Sequence, residues 1–92
     1  GDLPAVRSLV RLNHPALILS AFKRCEEENA LILRFYNTTP GAVAAEIALD
    51  FPFTGVRRAN LREDTIGSVF LKGRTVCLEA GGFEIVTLKI GL

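Results

Sequence analysis

The residues equipped for chemistry are few and scattered. His14 is the one histidine among 92 residues and stands in Asn13-His14-Pro15, whereas a hydrolytic metal centre needs about three His, Cys or carboxylate ligands converging on an open position. The two cysteines, Cys25 and Cys77, are spaced neither as a zinc ligand pair nor as part of a dense disulfide framework, and read as idle or buried thiols of a reducing compartment. Ser20 and Ser68 lack the Gly-x-Ser-x-Gly surroundings that expose a nucleophile, and a single imidazole would have to serve either of them as base. Glu46, Asp50, Glu63, Asp64, Glu79 and Glu84 could supply the carboxylate pair of a glycosidase, but they fall where solvent-facing strand and loop residues belong. Gly81-Gly82 opens no helix and cradles no phosphate. No catalytic, cofactor-binding or metal-ligating residue is therefore assigned.

What remains is contact chemistry. Arg34 and Tyr36 share one strand face, an arrangement able to stack on a sugar or to meet a neighbouring domain. Arg57 and Arg58, with Arg62, form the densest basic cluster, yet alternation sends Arg57 and Arg58 to opposite faces, which suits an interdomain ion pair or surface charge better than a nucleic-acid patch. Eleven Lys and Arg against ten Asp and Glu leave a net charge of +1, so no overall field recruits nucleic acid or an anionic membrane. Glu26-Glu27-Glu28 reads as a solvated loop tip. Asn37-Thr38-Thr39 fits the N-glycosylation acceptor pattern, a triplet that also arises often by chance.

The elements that must carry these residues are strands. Leu17 to Lys23 and Ala30 to Asn37 alternate with a period of two about a polar connection, as a β-hairpin does. Val43, Ala45, Ile47, Leu49 and Phe51 alternate with Ala44, Glu46, Ala48 and Asp50 in the clearest half-buried strand, which Pro52 ends. Gly55 to Leu61, Ile66 to Leu71, Thr75 to Ala80 and Phe83 to Ile90 follow, separated by turn residues that include Lys72-Gly73-Arg74 and Gly81-Gly82. These are about seven short strands with no helical periodicity, so the spacing predicts an all-β fold, an antiparallel two-sheet β-sandwich of immunoglobulin-like type. Residues 1–16, with Pro4 and Pro15, read as a lead-in segment or linker that ends in a short edge strand. Residues 17–92 form the single domain. A chain of this size holds one core, and its apolar runs fall far short of the ~20 residues of a membrane span, so a soluble domain is expected. Starting at Gly1-Asp2 with no Met anywhere, it reads as a piece of a longer polypeptide.

Three stretches, in order and at suitable separations, carry a family resemblance: Leu17-Ile18-Leu19-Ser20-Ala21-Phe22-Lys23-Arg24, Leu31-Ile32-Leu33-Arg34-Phe35-Tyr36-Asn37, and Leu78-Glu79-Ala80-Gly81-Gly82-Phe83-Glu84-Ile85-Val86-Thr87-Leu88. Together they resemble the C-terminal β-sandwich domain of glycoside hydrolase family 38, the class II α-mannosidases, over residues 9 to 90. The second stretch is similar to a family strand ending Arg-x-Tyr-Asn, the third to a terminal strand opened by Phe-Glu-Ile and Thr. Gly82 stands where family members often carry Pro, a departure expected to loosen that turn without changing its role.

The resemblance implies a non-catalytic accessory module. Its parent would be a retaining, zinc-dependent α-mannosidase acting on mannose-containing oligosaccharides, and the zinc ligands and aspartate nucleophile would lie in a separate N-terminal domain. The partners implied are the remaining domains of that glycosidase, with mannose oligosaccharide reached through the parent and an oligomer contact as a further use of the surface. Arg34, Tyr36, Arg57 and Arg58 are the candidate interdomain or sugar contacts. A free-standing carbohydrate-binding module and an immunoglobulin-like interaction module are the alternatives. Cysteine usage and the lack of a visible signal point to the cytoplasm.

Overall fold

In a computed structural model the described residues are 9–25, 29–60, 62 and 65–92. They form nine strands: β1 (Val10–Leu12), β2 (Leu17–Cys25), β3 (Ala30–Asn37), β4 (Val43–Leu49), β5 (Gly55–Ala59), β6 (Thr65–Ser68), β7 (Phe70–Lys72), β8 (Thr75–Ala80) and β9 (Ile85–Gly91). Two antiparallel sheets result, a four-stranded one in the order β1-β4-β8-β7 and a five-stranded one in the order β2-β3-β9-β5-β6. The chain is thus an all-β sandwich, as its two-residue periodicity requires.

Alternation decides what each sheet buries. Along β3 the inward parity is Leu31, Leu33, Phe35 and Asn37, along β4 it is Val43, Ala45, Ile47 and Leu49, and along β9 it is Val86, Leu88 and Ile90. Leu33, Phe35, Ile47, Leu49, Val76, Val86, Leu88 and Ile90 are fully buried in one cluster between the sheets. Each such side chain contributes roughly 1.5–3 kcal/mol relative to exposure. Phe51, beyond the end of β4, packs edge-on against Phe22 and Phe53 with ring centroids 6.3 and 6.1 Å away. These rings close one side of the core.

Nine strands stand where about seven are expected, through the short edge strand with which the lead-in segment is expected to end and through one run that divides in two. Val10 is buried and Val10–Leu12 pairs with Ile47 to Leu49, so the lead-in segment supplies the edge strand β1 of the four-stranded sheet. The run from Ile66 to Leu71 is two strands because the chain changes sheets at Val69: β6 pairs with β5, and β7 pairs with β8. A third difference is at the last strand, which starts at Ile85 and not at Phe83. The amide of Glu84 donates to the Gly81 carbonyl at 3.0 Å, making residues 81–84 a closed turn. The Lys72-Gly73-Arg74 turn forms as expected, with Gly73 at φ 64° joining β7 to β8.

Cys25 and Cys77 are free. Cys25 lies opposite Ala30 on the outer face of the five-stranded sheet and Cys77 opposite Glu46 on the outer face of the four-stranded one. With two sheets ~10 Å apart between them, they exceed the ~7 Å Cα limit for a bridge.

The turn at 81–84 also revises the reading of Gly82. A Cβ there would overlap the Pro40 carbonyl, so the residue is required by close approach of two backbones and the turn is tight rather than loosened. Gly82→Ala is expected to cost about 1–3 kcal/mol through this overlap. A thermal melt checks it, with Gly41→Ala, where a Cβ meets nothing within 4 Å, as the control that stays near wild type.

Candidate functional site

Two regions gather the polar and exposed residues: a joint between the sheets, and the outer face of the five-stranded sheet.

The joint is built on Asn37, which the parity of β3 turns inward and which is fully buried. Its Nδ2 donates to the carbonyls of Gly41 (2.8 Å), Gly81 (3.0 Å) and Ala80 (3.2 Å). Its Oδ1 accepts from the Thr39 amide (2.9 Å) and the Thr39 hydroxyl (2.7 Å). An amide turned the other way would set an oxygen against three carbonyls, so the partners fix its orientation. Ala80 belongs to β8, in the opposite sheet, so one side chain ties the two layers together. The Asn37-Thr38-Thr39 triplet is thereby accounted for: the nitrogen a glycosyl transfer would modify is inside the domain with every donor in use.

The same joint fixes the 81–84 turn. The Phe83 amide donates to the Thr39 carbonyl at 2.9 Å, and the Asn37 amide to the Glu84 carbonyl at 3.0 Å. The Glu84 carboxylate accepts from the Gly81 amide through Oε1 and from Arg58 through Oε2, both at 2.7 Å. An ion pair this exposed contributes only about 0–1 kcal/mol. Its effect is to set where Arg58 points.

On the outer face of the five-stranded sheet, register brings residues into rows. Ile18, Tyr36 and Ile85 lie side by side on β2, β3 and β9, and the next row holds Ala21, Arg34, Thr87 and Ala59. Arg34 is half-buried, and its Nε donates to Thr87 Oγ1 at 3.1 Å. The row beyond is Lys23, Ile32, Lys89 and Arg57. There Ile32 is fully buried and clusters with Cys25 and Ala30, and the long aliphatic stems of the flanking lysines suit it as cover.

Of the four candidate contacts, Arg34 and Tyr36 therefore stand together. Arg57 is on the same face two strands away, and Arg58 faces the other way, held by Glu84. The sequence reading did not single out Asn37 as a structural joint, nor Ile18, Ile85 and Phe83 as exposed. For Asn37 the signal was present, a polar residue on the buried parity of an otherwise apolar strand.

Among the carboxylates once considered for hydrolysis, Glu46 and Glu79 face outward on the four-stranded sheet, Glu84 serves the turn, and Glu63 and Asp64 lie outside the described residues, as do Glu26, Glu27 and Glu28. Among the described residues no group of three or more His, Cys, Asp or Glu could hold a metal. His14 accepts a hydrogen bond from the Ala16 amide at Nδ1, and Cys25 and Cys77 sit on opposite sheets. This donor set does not fit a zinc ion. No described helix is long and apolar enough to cross a membrane.

A two-layer sandwich whose polar side chains hold turns and line an outer face defines a β-sandwich module. The family model of the glycosyl hydrolases family 38 C-terminal beta sandwich domain matches residues 16–88, from just before β2 into β9, and the chain belongs to that family. No curated protein matches it in a sequence search.

Removing the Asn37 side chain leaves the Thr39 amide without its acceptor and takes one donor from each of three carbonyls, of which Gly81 keeps the Glu84 amide and Gly41 the Thr39 hydroxyl, at about 1–3 kcal/mol for each buried group left unpaired. Asn37→Ala is expected to lower the melting temperature by about 10 °C or more, since ~1 kcal/mol corresponds to roughly 4–8 °C in a domain of this size. Asn37→Asp should be no better, because it sets a carboxylate against carbonyl oxygens. Intact-mass measurement on protein from a glycosylating host should show Asn37 unmodified in the folded form.

Proposed function

We infer that the chain is the non-catalytic C-terminal accessory domain of a zinc-dependent, retaining α-mannosidase that hydrolyses mannose-containing oligosaccharides. The observation that carries this reading is the family match, which spans seven of the nine strands whole and enters β9. The zinc and the nucleophile belong, in this reading, to another domain of the same polypeptide, and no step of hydrolysis runs through these residues. The module's part is to pack against the remaining domains and to help shape the substrate cleft. Free thiols at Cys25 and Cys77 suit a reducing compartment, and we place the parent in the cytoplasm.

A second reading, a carbohydrate-binding or interaction module acting by itself, is favoured by the pairing of Arg34 and Tyr36 on one exposed face. It predicts saturable chemical-shift changes on that face with mannose oligosaccharides.

The two separate on the size and activity of the native gene product. An antibody raised against the domain should precipitate a band many times larger than 10.0 kDa together with α-mannosidase activity that a chelator abolishes and zinc restores. A 10.0 kDa band without activity would overturn the first reading.

A further inference from the structure

Three exposed apolar residues of the domain stand side by side. Ile18 (43% exposed), Tyr36 (38%) and Ile85 (53%) form a continuous cross-strand row, and Phe83 (65%) lies two residues before Ile85. Phe83 also has φ 55°, the only non-glycine residue with positive φ among those described. That backbone region costs a non-glycine residue of order 1–3 kcal/mol and persists where surrounding structure imposes it. Here the imposing contacts are the Thr39 carbonyl on its own amide and the Glu84-to-Gly81 turn bond. A large aromatic ring is thus held outward at an energetic cost.

Immediately behind the row, Arg34 is tied at Nε to Thr87, and its two terminal nitrogens have no hydrogen-bond partner among the described residues. A guanidinium oriented in this way presents the planar fork that a carboxylate fills with two parallel bonds.

We propose that the Ile18–Tyr36–Ile85 row, with Phe83 and Arg34, is the face by which the domain docks onto another part of its own parent polypeptide, a segment that brings a carboxylate to Arg34 and apolar side chains over the row. The proposal rests on the accessory-domain reading. Charge selects this occupant over a second copy. The Arg34 fork calls for a carboxylate, and no described residue of the outer face supplies one, so a symmetric pairing would leave the fork unfilled and set one Arg34 against another. Shape selects it over a sugar, because isoleucines flank Tyr36 on both neighbouring strands and an aliphatic surface complements them. Of the other exposed large apolar residues, Ile66 and Phe70 sit on edge strands of different sheets on either side of Val69 and Leu92 follows the end of β9, so they form no row.

Hydroxyl-radical footprinting of the full-length parent tests this. Tyr36 and Phe83 are expected to oxidise about ten-fold more slowly than Phe70, since an interface core excludes solvent. Arg34→Gln should raise labelling of Tyr36 and Phe83 several-fold, Arg34→Lys should do so in part by losing the fork, and Arg57→Gln should leave both unchanged. Full labelling of Tyr36 and Phe83 in the wild-type parent, with Phe70 or the outer face of the four-stranded sheet protected, overturns the proposal while the accessory reading stands. Full labelling of every exposed residue on both faces overturns both. Protection of Tyr36 that appears only with added mannose oligosaccharide, or that scales with protein concentration, overturns the proposal in favour of a sugar or a second copy.

Discussion

The sandwich turns on the amide of Asn37. Two sheets stacked face to face are held by non-directional burial of Leu33, Phe35, Ile47, Val76, Val86, Leu88 and Ile90, which fixes their separation but constrains sliding only weakly. Asn37 adds direction. Its carbonyl oxygen takes both donors of Thr39 and its nitrogen reaches across to Ala80 and Gly81, so the end of β3, the loop after it and the end of β8 cannot shift independently. A polar group so placed adds little beyond a hydrogen bond's ~1 kcal/mol each when satisfied and is costly when it is not. It acts as a gauge of register more than as a source of stability.

Everything at that end of the domain follows from the joint. The residue 37–41 loop brings the Pro40 carbonyl against Gly82, which excludes a side chain there. With Gly82 in contact and Glu84 closing on Gly81, Phe83 takes a backbone conformation that its side chain disfavours. Glu84 in turn holds Arg58, which register already turns away from the outer face, and Arg34 is the oriented cation beside the apolar row. The order of cause runs from a buried amide to an exposed ring, through contacts that are each individually weak.

Much of the architecture was legible because a period of two is a strong signal wherever one face of a strand is buried. Val43 to Leu49 and Leu31 to Asn37 announce both the strands and their inward sides. Signals failed where a local pattern is insufficient. Ile66 to Leu71 reads as one strand, since nothing in the residues says that Val69 marks a change of sheet. Phe83-Glu84-Ile85 reads as the start of a strand because Phe and Ile favour strands, and only the long-range bond from Phe83 to Thr39 reveals a turn. Gly82 reads as a flexible residue, while its actual role, allowing a backbone 42 positions earlier to approach, is invisible without the fold. Arg34 and Tyr36 could be placed on one face by counting, but not the isoleucines beside them, whose neighbours depend on strand order.

A domain of this kind has its specificity in its surface, and the two outer faces are unlike. On the four-stranded sheet, β4 and β8 present Ala44, Ala48, Cys77 and Thr75 among Glu46 and Glu79, with Arg11, Lys72 and the exposed Phe70 on the strands outside them, so opposite charges are interspersed and the one large apolar side chain stands by itself at the edge. The charges of such a surface compensate one another, and a single exposed apolar side chain is ordinary in water. The five-stranded sheet sets an apolar row beside the Arg34 guanidinium. That arrangement gains little for an isolated sandwich, because Ile18 and Ile85 leave about half of their surface in water and Arg34 has no carboxylate among the described residues. It becomes favourable once a partner supplies the missing half, and a strained Phe83 beside it places part of the cost of docking in the fold of the free domain rather than in the association itself.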